Sequence, residues 1–191
     1  ILNNTLVTGV GGGVCQVSST LYNCVRLAGL EVLERSNHSL PVDYVPLGLD
    51  ATVVYGYVDF KFRNNTGSYV YLTTRVTDDT LTVKIYGNAA YRKKIRVRSW
   101  IEEEFAPQEV RQPDPNLERG REVVKQEGAR GYRVAAERII EEGGAERRER
   151  LPASYYPPVD RVVAVGTREP VPTLAPPATP VPVEVPPGPS G

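Results

Sequence analysis

The sequence predicts an α+β chain: one helix packed on an antiparallel sheet, followed by a small all-β region and a proline-rich end. Three observations lead there. A helical apolar period appears in one short stretch, between residues 14 and 30. Runs rich in β-branched and aromatic residues fill the region from Ala51 to Gly87. Beyond residue 95 the chain is charged, β-leaning and punctuated by glycine.

Taken in order, "GGGVCQVSSTLY" (Gly11 to Tyr22) opens the helix. Val17, Leu21, Cys24, Val25 and Ala28 recur near the 3.6-residue period and mark its expected buried stripe, and Gly29 supplies the stop. Three strand-like runs follow: "ATVVYGYVDFKF" from Ala51, "SYVYLTTRV" from Ser68 and "LTVKIYG" from Leu81. The last two flank a tight turn at Asp78 and Asp79 and predict a hairpin. Tyr55, Tyr57, Tyr69 and Tyr71 read as core and cross-strand pairs, with stacking on sugar rings as the alternative.

Residues 1–92 therefore form one predicted domain and residues 95–168 a second. In the second, "YRVAAERII" and "AERRERL" lie on either side of Glu142, Gly143 and Gly144 and predict another hairpin. Large apolar residues are sparse there, which predicts a thin sheet wet on both faces. The charge runs at 102–104 and 146–150 read as solvated strand faces. Residues 169–191 read as a polyproline-type linker or disordered tail, since nine of the twenty residues from 170 to 189 are proline.

Charge and length narrow the function. Lys plus Arg and Asp plus Glu are 23 each, a formal net charge of zero, which argues against a nucleic-acid partner. Methionine is absent and the chain opens with "ILNNTLVTG", so it is expected to be an internal piece of a larger protein. Any leader or membrane anchor is then expected outside it, because no run approaches the roughly 18 apolar residues of a spanning helix.

The cysteines carry the chemistry. On one helix, Cys15 and Cys24 would be separated by about 13.5 Å of rise, too far for the roughly 7 Å limit of bridged Cα atoms. Cys24 falls on the apolar stripe and reads as a small core residue. Cys15 falls in the first turn, where unpaired N–H groups and the helix dipole favour a thiolate. The glycines before it permit a sharp turn and a close backbone approach. The single histidine, His38 in "RSNHSLPVDY", and Asp50, opening a strand, complete a Cys, His, acid order suited to acyl transfer. In that reading Cys15 is the nucleophile, His38 the general base and acid, and Asp50 its orienter, with Asp43 and Asp59 as competing orienters.

Gly13, Val14 and Gln16 are candidates for the oxyanion site or its support, although Gln16 also reads as an exposed first-turn residue. Ser18, Ser19 and Thr20 read as packing or capping groups. Two cysteines and one histidine fit no standard zinc spacing, so neither metal nor other cofactor is expected.

The stretch from "GGGVCQVSSTLYNC" through "NHSLP" and "GLDATV" resembles the VanW-like family of bacterial envelope proteins, over roughly residues 1 to 90. "LERGREVVKQEGARGYRV" and "VVAVGT" are similar to the G-five domain, which accompanies cell-wall modules and has been proposed to bind N-acetylglucosamine-containing glycans. At the level of fold, the order of Cys15, His38 and Asp50 is similar to the transglutaminase-like cysteine fold. These resemblances imply an extracellular or cell-envelope protein that meets peptidoglycan or a surface glycan. Two functions follow: acyl transfer on amide bonds of the wall peptide, or a non-catalytic binding scaffold. Trp100, Tyr155 and Tyr156 are the candidate glycan contacts in the second domain.

Overall fold

The computed structural model describes residues 13–169; the first glycines of the opening motif and the proline-rich end lie outside them. Helix α1 (Val14–Leu27) is followed by the short strands β1 (Glu31–Glu34) and β2 (Lys61–Arg63). Next come β3 (Tyr71–Val76), β4 (Leu81–Tyr86) and a 3₁₀ turn at Ala89–Tyr91. The remaining strands are β5 (Lys94–Phe105), β6 (Glu109–Glu118), β7 (Glu122–Gln126), β8 (Gly131–Glu142), β9 (Ala145–Tyr156) and β10 (Arg161–Arg168). The α+β class holds, with a single α-helix among the described residues and an all-β second part.

The sheets are small and separate. β1 pairs with β2, and β3 pairs with β4, both antiparallel. β5, β8 and β9 form an antiparallel three-stranded sheet in that order. In the second three-stranded sheet, β10 is central, parallel to β6 and antiparallel to β7. The two expected hairpins form, turning at Asp78–Asp79 and at Gly143–Gly144.

Three sequence expectations need correction. The run from Ala51 is not a continuous strand. Thr52 makes an isolated bridge to Ser36, and Val54 bridges Val58 around Gly56, whose φ of 78° closes a tight turn where a strand would run straight. His38 and Asp50 accordingly lie on irregular segments rather than on regular strands. Second, the buried face of α1 is shifted from the apolar stripe. Ser18, Ser19, Tyr22, Val25 and Arg26 are buried, whereas Val17 is exposed. The serines are inside because they bind backbone at Ala51, a polar contact that an apolar period does not register.

Third, the β5–β8–β9 sheet is not wet on both faces. Val134, Ala135 and Ala136 are each 1% exposed, and successive burial requires cover on both sides. One side is covered by the α1 region: Arg138 Nη1 donates to the Leu30 carbonyl at 3.3 Å, and a Cβ on Gly48 would come within 2.7 Å of Val134. On the other side, Trp100 lies opposite Ala135, with the Arg98 and Arg150 guanidiniums 5.6 and 5.2 Å from its ring centre. Arg98 and Arg148 both pair with Glu137. Long charged side chains thus cover apolar surface with their stems while their heads remain wet. The core of the helical part is this sheet: Tyr22, Val25, Leu30 and Ala51 are buried together with Val134, Ile140 and Tyr156.

Candidate functional site

The start of α1 positions Cys15. Gly13 is the N-cap and provides no side-chain cap, and the first helical bond runs from Val17 N to Gly13 O at 3.1 Å. The N–H groups of Val14, Cys15 and Gln16 therefore have no partner within the helix and face outward from its positive end. Gly13 adopts an ordinary right-handed conformation, φ −89°, and a Cβ there would meet none of the described residues within 4 Å. Gly13 is therefore no strained turn.

Opposite the helix start, the segment 50–53 is fastened to α1 by hydrogen bonds. Ser18 and Ser19 donate to the Ala51 carbonyl at 2.6 and 3.2 Å, and Ala51 N donates to Ser19 Oγ at 3.0 Å. Asn23 donates to Leu49 O at 2.7 Å, one turn along. This anchoring brings Thr52 Oγ1 and the Val53 carbonyl each to 3.6 Å from Cys15 Sγ. The serines are thus structural clamps, as packing residues.

Asp50 lies at the centre, fully buried. Its Oδ2 accepts from the His38 backbone N at 2.7 Å and lies 2.6 Å from His38 Nδ1. Its Oδ1 accepts from Arg35 Nη2 at 3.0 Å and from the Tyr156 phenol. Arg35 Nε also donates to the Asp50 carbonyl at 2.6 Å, and Arg35 Nη1 donates to Ser154 Oγ at 2.8 Å. The phenol of Tyr156 in turn accepts from Gly48 N at 2.9 Å. With Nδ1 bound to a carboxylate, the other ring nitrogen of His38 is left free of it, and Tyr44 OH lies 3.3 Å from that Nε2.

The electrostatics follow from these contacts. Burial pushes the Asp50 carboxyl up, but hydrogen bonds from His38 and Tyr156 and the Arg35 charge hold it below the usual carboxylate range. Burial opposes the His38 imidazolium, yet bonding to Asp50 and to Cys15 raises it above its ordinary value. Burial likewise pushes the Cys15 thiol up. Hydrogen bonding at the Val53 backbone, from Thr52 and from His38 more than offsets this and leaves the thiol below its ordinary value. Cys24 goes the other way: burial raises it, and the Ile85 backbone offsets this only in part. Both cysteines are free, and only one is tuned toward a thiolate.

Residues 1–86 match the VanW-like protein family and residues 97–168 match the G5 domain. The chain carries a VanW-like domain followed by a G5 domain. It is 38% identical over 96 residues to "Uncharacterized protein YoaR" of Bacillus subtilis (strain 168), covering 50% of this chain and 32% of that protein. It is 28% identical over 93 residues to "Vancomycin B-type resistance protein VanW" of Enterococcus faecalis (strain ATCC 700802 / V583), covering 46% of this chain and 34% of that protein. The chain thus spans about a third of the length of the curated relatives it matches. Among solved structures, the G5 domain of an IgA1 protease is similar at 34% identity and TM-score 0.31, covering 40% of this chain and 94% of that one. The G5 domain of HP0197 is similar at 20% identity and TM-score 0.24, covering 39% and 99%.

The boundary between the VanW-like and G5 matches does not separate the site. Tyr156 and Ser154 belong to the G5 match, yet they hold Asp50 and Arg35 of the VanW-like part. Tyr156 is 1% exposed and cannot present its ring to a glycan, which corrects its assignment as a glycan contact. Tyr155 is half-exposed and packs edge-on to Phe105, and Trp100 is flanked by the two guanidiniums described above. Tyr55, Tyr57, Tyr69 and Tyr71 are exposed by 102, 90, 99 and 70%, so they are surface aromatics and not core pairs.

Neither competing orienter pairs with the histidine, whose Nδ1 is held by Asp50. Asp43 and Asp59 are exposed, and Asp59 accepts from Phe60 N. Gln16 is exposed as well. Sequence reasoning missed Arg35, Tyr44, Thr52, Ser154 and the role of Tyr156. Arg35 had a signal, lying three residues before His38 in "RSNH". Ser154 and Tyr156 had none, because over a hundred residues separate them from Asp50. Among the described residues no cluster of His, Cys, Asp or Glu is disposed to hold a metal ion, and no helix is long and apolar enough to cross a membrane.

Proposed function

We propose that the VanW-like domain is a cysteine acyl-transfer centre acting on amide bonds of the cell-wall peptide, with the G5 domain holding the protein at an N-acetylglucosamine-containing glycan outside the cytoplasm. The observation that carries this reading is the buried 2.6 Å contact between His38 Nδ1 and Asp50, together with a thiol at the helix start that His38 helps hold below its ordinary value. The wall as the place of action rests on the VanW-like and G5 resemblances.

In this mechanism the Cys15 thiolate attacks the amide carbonyl carbon, forming a C–S bond. The oxygen's developing charge is met by N–H groups at the helix start that have no partner within the helix, among Val14, Cys15 and Gln16. The His38 imidazolium gives its Nε2 proton to the departing amine as the C–N bond breaks. Water or a second amine then attacks the thioester, His38 takes its proton, and the thiolate returns. Asp50 keeps Nδ1 protonated throughout, and Arg35 and Tyr156 hold Asp50 in place.

The test is direct detection of the thioester. The chain is incubated with wall-peptide fragments and its intact mass measured. A hydroxylamine-sensitive adduct on Cys15, absent from Cys15→Ala, is expected. No adduct with any wall peptide would remove the catalytic reading. The exposed tyrosines favour a second reading, a non-catalytic glycan-binding scaffold, for which binding to purified wall would survive Cys15→Ala and fall on loss of Tyr55 and Tyr57.

A further inference from the structure

Away from the thiol, on the other side of Arg35, lies a pocket of about 590 Å³ between α1, β1 and the middle of β9. Its walls include Arg26, Leu30, Val32, Arg138, Leu151 and Pro152. Neither the thiol, His38 nor Asp50 lines it. Arg26 is the unusual member. It is 1% exposed, its Nη1 donates to Tyr22 OH at 2.8 Å, and its guanidinium lies 4.5 Å from the Tyr22 ring centre. Its Nε and Nη2 are buried and have no hydrogen-bond partner among the described residues.

The neighbouring guanidiniums are not in this position. Arg35 is paired with Asp50, and Arg138 with Glu149. Among the described residues no carboxylate lies within ion-pair distance of Arg26, so a buried positive charge stands uncompensated beside two paired ones. Such a charge is costly unless something anionic meets it. The two free donors are also not arbitrary. Nε–H and Nη2–H form one edge of the planar guanidinium and point the same way, the geometry that receives both oxygens of a carboxylate. The wall is mixed: Leu30, Val32, Leu151 and Pro152 are apolar, and the lining carboxylates Glu31, Glu34 and Glu149 are each already paired with a cation, Arg63, Lys61 and Arg138, while the volume falls in the range of small-molecule sites. Both donors are buried, so a ligand reaches them by displacing a wall side chain such as Arg150, which is 62% exposed at its side chain and pairs with Glu102.

We propose that this pocket binds a small ligand or peptide end by its carboxylate, received bidentately on the Nε/Nη2 edge of Arg26, with the apolar part of the wall covering the adjoining side chain. The site is separate from the cysteine chemistry, and the proposal stands whether or not Cys15 is catalytic. Through Tyr22, whose ring lies 4.5 Å from Arg26 and 5.2 Å from Arg35, it adjoins the group that holds Asp50.

The test uses the full 191-residue chain carrying Cys15→Ala, so that no acyl transfer contributes. N-acetylalanine, its carboxamide N-acetylalaninamide, and inorganic phosphate are titrated separately, read by thermal shift and by the arginine Nε–H signals in ¹H–¹⁵N NMR. Expected is a saturable rise in Tm and a saturable shift of the Arg26 Nε–H with N-acetylalanine, little response to the carboxamide, and at least a tenfold loss of affinity in Arg26→Met. An equal response to the carboxamide would overturn the proposal. So would a response to phosphate alone, or one that survives in Arg26→Met. Should Arg26→Met fail to fold, the NMR titration of the unsubstituted arginine decides: an Arg26 signal unmoved by N-acetylalanine overturns the assignment.

Discussion

The phenol of Tyr156, the last residue of β9, donates to Asp50 Oδ1, the carboxylate whose other oxygen holds His38. A residue of the G5 match thereby sets the position of the imidazole in the VanW-like part. Replacing Tyr156 with Phe removes the donor to a buried carboxylate and the acceptor for Gly48 N. The expected cost is about 2 kcal/mol of stability, since hydrogen bonds to charged groups are worth roughly 1.5–3 kcal/mol. The denaturant midpoint should fall at unchanged slope. A midpoint within error of the parent would mean that the phenol does not support Asp50.

The thiol makes a second prediction. Alkylation of Cys15 by iodoacetamide, followed by mass spectrometry against pH, should report a value below the ordinary thiol range, while Cys24 reacts only at higher pH. In His38→Ala the Cys15 profile should move upward, because the imidazolium that favours the thiolate is gone. A profile indifferent to His38 would leave only Thr52 and the Val53 backbone acting on the sulfur.

Stability should depend on pH with a sign fixed by each group. The folded state raises His38, so its contribution is fully present below the unfolded value of about 6.5 and is lost as pH rises through the higher folded value. Asp50 is depressed when folded, so its contribution is present above about 3.9 and is lost as pH falls through the lower folded value. Urea midpoints of parent and His38→Gln should therefore converge as pH is raised beyond neutrality. Midpoints that diverge in that direction would contradict a raised His38.

Much of this architecture was legible because it is local. The helix over residues 14–27, its stop near Gly29, and the hairpins at Asp78–Asp79 and Gly143–Gly144 follow from period and turn chemistry within a dozen residues. Residue order alone also offered Cys15, His38 and Asp50 as a set. What escaped was either polar or distant. Ser18 and Ser19 are buried because a backbone carbonyl awaits them at Ala51, and no hydropathy pattern encodes a partner 32 or 33 residues away. Gly56 turned an apparent strand into a loop because its positive φ interrupts the ladder. Tyr156 looked like a surface aromatic in a sparse sheet; the missing core of that sheet is the helical part itself.

That last relation yields the final prediction, on whether the two family matches are independent units. Residues 13–92 have no large sheet of their own among the described residues, only the two-stranded pairs β1–β2 and β3–β4. Their helix packs against β5, their Gly48 abuts Val134, and their Arg35 and Asp50 are held by Ser154 and Tyr156. Two-stranded pairs are at best marginally stable by themselves in water. A chain ending at residue 92 should therefore unfold without a cooperative transition, and its Cys15 should alkylate with the pH profile of an unperturbed thiol near 8.5. The full chain with Ser154→Ala should still unfold cooperatively, with only a modest loss for one hydrogen bond to Arg35, about 1–2 kcal/mol. If the truncated chain instead keeps a cooperative transition and a depressed Cys15, the VanW-like part supplies its own core, and the contacts from β9 are a dispensable addition to a self-sufficient site.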